Sequence, residues 1–184
     1  MNTVTYEEFL EFKPCWLDEE GGAERIKAYF DRFGGRMSAL DILNLDDVST
    51  EDKLWSVLRE EFIPAPILHE FACVCAEYAL SLIENPDPRS IKAIEVKRAW
   101  MRSEATDGEL AAARWAASDA ARAADRYAAR AAARAADRDA ARYAARAAAW
   151  AAWDAARAAK QDARDAQVAY LIMALEDENN ERKI

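Results

Sequence analysis

Seven arginines, Arg122, Arg126, Arg130, Arg134, Arg138, Arg142 and Arg146, recur at every fourth position in a segment that is otherwise mostly alanine. A guanidinium presents a planar fork of donors that matches phosphate or carboxylate. Trp115, Tyr127, Tyr143, Trp150 and Trp153 lie among or beside them, and such rings can stack a base. If the segment folds back on itself, Arg122, Arg126, Arg130 and Arg134 with Tyr127 and Trp115 would line a pocket for an anionic ligand such as a nucleotide signal. Two other readings fit the same residues. One is a surface for a partner protein. The other is a solvated arginine face balanced by aspartates, with the aromatic rings in the core.

The remainder of the chain offers less chemistry. His69 is the only histidine and stands one helical turn before Cys73, but two residues fall short of the four ligands zinc usually takes. His69 therefore reads as a core or helix-surface side chain. The three cysteines, Cys15, Cys73 and Cys75, fit a reducing, cytoplasmic compartment. Cys73 and Cys75, two apart on a helix, point about 200° apart and should not bridge. No G-x-S-x-G elbow is present, and Gly21-Gly22 and Gly34-Gly35 lack the pattern of a phosphate loop. The run Asp18-Glu-Glu20 reads as a solvated helix approach, with a contact for a basic partner as the alternative. We expect no enzyme, no catalytic residue, no metal and no cofactor.

The elements that must position these residues are helices. Thr5-x-x-Glu8, Ser49-x-x-Asp52 and Thr106-x-x-Glu109 each have the form of a capping box, and Ser38 with Asp41 makes a fourth, weaker case. Gly34-Gly35 closes one helical run, Pro64-Ala-Pro66 interrupts the chain, and Asp87-Pro88 caps and opens another helix. The expected helices are 6–12, 23–33, 39–44, 50–61, 66–84, 88–102 and 107 onward. No stretch alternates with period two, so no strand is expected. Helix 66–84 should be the centre of a head, through Ile67, Leu68, Phe71, Ala72, Cys75, Ala79, Leu82 and Ile83. Trp55, Leu54 and Leu58 give 50–61 a matching stripe, as do Ile91, Ile94, Ala99 and Trp100 for 88–102.

Charge and composition divide at one place. Residues 1–106 hold 21 acids and 12 bases, whereas 107–184 hold 13 of each, so the net charge of −9 belongs to the first part. Between Ala111 and Ala159, 29 of 49 residues are alanine and nine are arginine. Two segments follow: an acidic mixed helical head, 1–106, and an Ala/Arg-rich helical segment, 107–184, packed on it, with one continuous domain as the alternative. The fold class expected is all-α, with the Ala/Arg-rich helices folded back on the head into a bundle. Four residues of helix turn through about 400°, so the arginine row winds about 40° per step and cannot form a heptad seam. A single rod of up to about 100 Å would leave Trp115, Trp150, Trp153, Tyr170, Leu171, Ile172 and Leu175 unburied. Breaks near Asp137-Arg-Asp139 and Lys160-Gln-Asp162 avoid that, and Glu176 to Ile184 reads as a frayed charged end. The longest apolar run in the alanine-rich part, Ala147 to Trp153, is far short of a membrane span, and the start has no signal-peptide pattern. An acidic chain is also unsuited to binding duplex DNA directly.

One stretch carries a resemblance. His69-Glu-Phe-Ala-Cys-Val-Cys-Ala-Glu-Tyr-Ala-Leu80, Pro86-Asp-Pro-Arg-Ser-Ile91, and Arg98-Ala-Trp-Met-Arg-Ser-Glu-Ala-Thr106 followed by Glu109-Leu-Ala-Ala-Ala-Arg114 resemble immunity proteins of bacterial polymorphic toxin systems, which have phage-encoded relatives. The resemblance covers about Pro66 to Arg146. It implies a non-enzymatic protein that binds and neutralises an effector, and it supplies no catalytic residue. Two further blocks, Gly21-Gly-Ala-Glu-Arg25 and Phe33-Gly-Gly-Arg-Met-Ser-Ala-Leu-Asp41, carry no chemistry that the sequence reveals. The expected partner is a toxin or effector protein, for which an acidic head provides charge complementarity. A phage anti-defence role is the alternative, through a sequestered nucleotide or by inhibiting a nucleic-acid-directed complex. A second copy of the chain is a further possible partner.

Overall fold

A computed structural model describes residues 2–18, 20–124 and 160–181. The chain opens with strand β1 (Thr3–Thr5), helix α1 (Tyr6–Glu11), a 3-10 turn (Cys15–Asp18) and helix α2 (Gly22–Arg32). Strand β2 (Arg36–Ser38) and helices α3 (Ala39–Leu43) and α4 (Thr50–Val57) follow. Then come α5 (Ala65–Ser81), α6 (Pro88–Met101), α7 (Asp107–Ala124) and, as the last described element, α8 (Lys160–Glu181). The fold is all-α, a multi-helix head with helices of the Ala/Arg-rich segment folded back on it.

Local chemistry explains most helix boundaries. Thr5, Ser38 and Thr106 each accept from the amide three residues on, while Glu8, Asp41 and Glu109 accept from the capping residue's own amide. Ser38–Asp41 is thus a complete box. Asp87 accepts from the Arg89 amide at 2.9 Å and Pro88 opens α6. Helix α2 ends in a Schellman motif: the Gly35 amide donates to the Phe30 carbonyl at 2.8 Å and the Gly34 amide to that of Asp31, with Gly34 at φ +71°. Helix α4 stops at Val57, four residues short of the expected 61. The Arg59 side chain turns back to donate to the Ser56 and Trp55 carbonyls, each at 3.0 Å, and satisfies its end. Helix α5 ends at Ser81 and not at 84, and Leu82 beyond it is exposed.

The expectation of no strands is corrected by a small antiparallel ladder in which Val4 pairs with Met37 and Thr5 with Arg36. Each strand is three residues long and runs directly into an N-cap, Thr5 or Ser38, whose backbone is extended in any case. Two cap approaches side by side are too short to show an alternating pattern.

The core gathers around α5, which buries Leu68, Phe71, Ala72, Cys75, Ala76 and Ala79. Phe9, Phe30, Met37, Leu43, Val57, Phe62 and Ile63 close it from the head side. Helix α8 adds Leu171 and Leu175, both fully buried, and stacks Tyr170 on Phe71 with centroids 6.1 Å apart. Polar contacts tie α8 to α4: Arg164 pairs with Glu51 and Thr50 donates to Asp165, both at 2.8 Å. Helix α7 lies along α6, where Ala93, Leu110 and Ala117 form a second small cluster. In one rod Leu110 and Leu171 would stand about 90 Å apart. Both lie against the same head, so α7 and α8 are not parts of one straight helix.

Two expectations about the segment need correction. Trp115 is 60% exposed. Leu110, Ala113, Ala117 and Ala120 face inward on α7, and 115 falls about 200° from 117, on the outer side. Glu176 to Glu181 is not frayed but continues α8, anchored by Leu175 just before it; 182–184 lie outside the described residues. Ile91, expected in the stripe of 88–102, is exposed, whereas Ile94 is buried.

Candidate functional site

The two glycine blocks that carried no evident chemistry frame a pocket. Gly21, at φ +72°, turns the chain into α2, and Gly22 starts that helix against the backbone of Trp16. A Cβ on Gly22 would come within 1.8 Å of the Trp16 carbonyl oxygen, so only glycine permits this approach. The approach sets Trp16 beside Phe9 (centroids 6.2 Å, stacked) and opposite Arg25, Tyr29 and Phe30 of α2. Met37 of β2 and Ile42 of α3 line the pocket, with Leu45, Asp47 and Val48 from the connection to α4. Ser49, Asp52 and Ser56 complete it, and its volume is about 360 Å³.

The polar groups of the pocket are held in place. Tyr29 donates its hydroxyl to Asp47 Oδ2 at 2.9 Å, and the Trp16 indole donates to Asp52 Oδ1 at 3.0 Å. Ser49 donates to the other oxygen of Asp52 at 2.6 Å, and Ser56 to the Asp52 carbonyl at 2.8 Å. Burial and the Asp47 carboxylate raise the Tyr29 hydroxyl pKa, which keeps the phenol a donor. A second hollow of about 380 Å³ adjoins the first and shares Leu45 and Asp47 with it; Asp41, Asp46, Arg32 and Phe33 are among its walls. The arrangement offers aromatic faces and carboxylate oxygens over an apolar floor. It suits recognition of a ligand with an apolar stem and a polar head.

A second polar cluster lies between α5 and α6. Arg98 donates to both Glu70 and Glu77, and these carboxylates raise its guanidinium pKa further. Lys97 is fully buried, with Nζ 4.1 Å from the centroid of Trp100. His69 meets the same indole edge-on at 5.6 Å, and Trp100 donates to Asp107 at 2.9 Å. These side chains tie three helices together. Cys73 and Cys75 are free thiols in the core; burial pushes Cys73 up to about 12 and raises Cys75 as well, which disfavours the thiolate at both. Among the described residues, no three of the His, Cys, Asp and Glu side chains could together hold a metal ion, and no helix is long and apolar enough to cross a membrane.

Of the residues expected to form an anion pocket, Trp115 is on the outer face of α7 and Arg122 is in its last turn. Arg126, Tyr127, Arg130 and Arg134 lie outside the described residues, as do Arg138, Arg142, Arg146, Tyr143, Trp150 and Trp153. In the acidic run 18–20, Glu19 is outside them too, and Glu20 is exposed. Sequence reasoning missed the head pocket. Its one advance signal was the pair of Gly-Gly blocks, which mark positions where the backbone needs unusual room. No protein-family model, no curated protein and no solved structure matches the chain.

Proposed function

We propose that this chain is a non-enzymatic binding protein that neutralises a toxin or defence effector, in the manner of the immunity proteins it resembles. The observation that carries the reading is the acidic head, which holds the entire net charge of −9 and has an aromatic pocket flanked by Asp47 and Asp52. Such a surface speeds encounter with a basic partner and disfavours acidic ones. Rigid capped helices and a tightly anchored pocket also suit a preorganised binder, which gives up little freedom on association. On this reading α7 and α8 support the head, and the head makes the contact.

The test is neutralisation. The product of the gene next to this one is expressed in a bacterial host, alone and with the chain. Arrest by the neighbour alone, rescue by the chain and co-elution of the two would support the reading. The association rate should fall steeply as salt rises past about 0.1 M, where the screening length is about 10 Å. A neighbour that arrests growth regardless of the chain, with no complex formed, would overturn it. The same acidic face suits an anti-defence protein that presents carboxylates in place of DNA phosphates. Competition between duplex DNA and the chain for the isolated partner is the mark of that alternative.

A further inference from the structure

We propose that the head pocket is the receptor for an arginine side chain of the partner, with Asp47 and Asp52 taking the guanidinium and the aromatic walls taking its flat face. This deepens the proposed function and rests on it for the partner's identity, but not for the chemistry. The pocket is a cavity and not a bare acidic patch. Its volume of about 360 Å³ accommodates a long side chain, and Met37, Ile42 and Val48 give the methylene stem an apolar bed. Asp52 is already oriented by Trp16 and Ser49, and Asp47 by Tyr29, so both carboxylates are aimed before any ligand arrives.

The choice of guanidinium over other cations comes from the head itself. Arg59 lies with its guanidinium carbon 4.3 Å from the centroid of Phe12 and 4.5 Å from that of Trp55. Trp55 in turn packs edge-on against Trp16, the wall of the pocket, at 5.5 Å. The aromatic cluster therefore already holds one planar cation against its rings, and the pocket offers an open position on the same cluster. The two adjoining hollows together display Asp41, Asp46, Asp47 and Asp52 against Arg25 and Arg32, an excess of negative charge. Both arginines come from α2, whereas the carboxylates come from α3, its connection to α4, and α4. A basic segment can set its side chains toward the carboxylates and its main-chain carbonyls toward α2.

The experiment uses the full chain and a small probe, N-acetylarginine N-methylamide. Its neutral isostere, the citrulline derivative, is the comparison. Binding is followed through the indole N–H signal of Trp16, assigned with Trp16→Phe. The expected result is a saturable shift of that signal with a Kd of about 1–10 mM, at least about tenfold tighter than for the citrulline derivative. Asp47→Asn keeps an oxygen for the Tyr29 hydroxyl and should weaken the probe about fivefold without changing the melting temperature. Glu95→Gln, on the outside of α6, should change nothing. Equal binding of the two derivatives, a shift elsewhere that leaves Trp16 unmoved, or no binding of the arginine probe would each overturn the proposal. These outcomes need no effector. An effector complex that leaves Trp16 unperturbed sinks the pocket alone, and arginine binding without any neutralised effector sinks only the function proposed above.

Discussion

Gly22 acts through the side chain it lacks. A methyl group there would stand 1.8 Å from the Trp16 oxygen, so Gly22→Ala must push α2 away from the 3-10 turn. We expect a loss of about 3 kcal/mol in urea unfolding, as for an overpacked contact that cannot relax. Because Trp16 is a wall of the pocket, the arginine probe should weaken in the same variant. Asp87 gives the pH-dependent case. The Arg89 side chain, then its amide, hold the Asp87 carboxyl down to about 2. A carboxyl held below its unfolded value stabilises the fold at pH above about 4 and loses that contribution as the pH falls toward 2. Asp87→Ala should therefore cost about 1 kcal/mol near neutrality, the usual worth of an N-cap. The difference between the two proteins should narrow between pH 5 and about 2.5, measured by denaturant unfolding; a constant difference would show that the charge plays no part.

At the scale of elements, the caps separate by what else their acids must do. Glu8, Asp41 and Glu109 return to their own caps and complete a reciprocal box. Asp52 is turned toward Trp16: Oδ1 takes the indole, Oδ2 takes the Ser49 hydroxyl, and only the Ser49 half of the box at α4 forms. A capping motif has here become part of a pocket. The end of α6 carries the opposite kind of irregularity. Its amides at Ser103 and Glu104 return to the Trp100 and Ala99 carbonyls in a Schellman motif, with Ser103 at φ +61°. Serine is strained there, so Ser103→Gly should raise stability by about 1 kcal/mol in the same unfolding assay. The anchoring of α8 is apolar. Leu171→Ala, at a fully buried position, should cost about 3 kcal/mol and lower the melting temperature by several degrees.

For the molecule as a whole, the last described helix completes the core of the first half. Leu171 and Leu175 pack with residues as early as Val4 and Phe9 in one continuous cluster. Ending the chain after residue 159 would uncover Phe71, take Arg164 from Glu51 and take Asp165 from Thr50. We expect that shortened chain to lose cooperative thermal unfolding and to bind a hydrophobic dye; a sharp transition like that of the full chain would show that the head is self-sufficient.

The helices, their caps and the split of charge were legible in the sequence because each depends on neighbours within four residues. A threonine and a glutamate three apart, or a proline after an aspartate, act the same way in most surroundings. The face that each alanine-rich helix buries was not legible, because alanine is small enough for either side. Trp115, expected inside, is outside for that reason. The pocket was illegible for another: its walls come from Phe9 through Ser56, and no local pattern records that a tryptophan, a tyrosine and two aspartates from separate elements will meet. Tertiary structure alone decided that meeting, because packing the α2 start against Trp16 needs a glycine in one element and a turn in another.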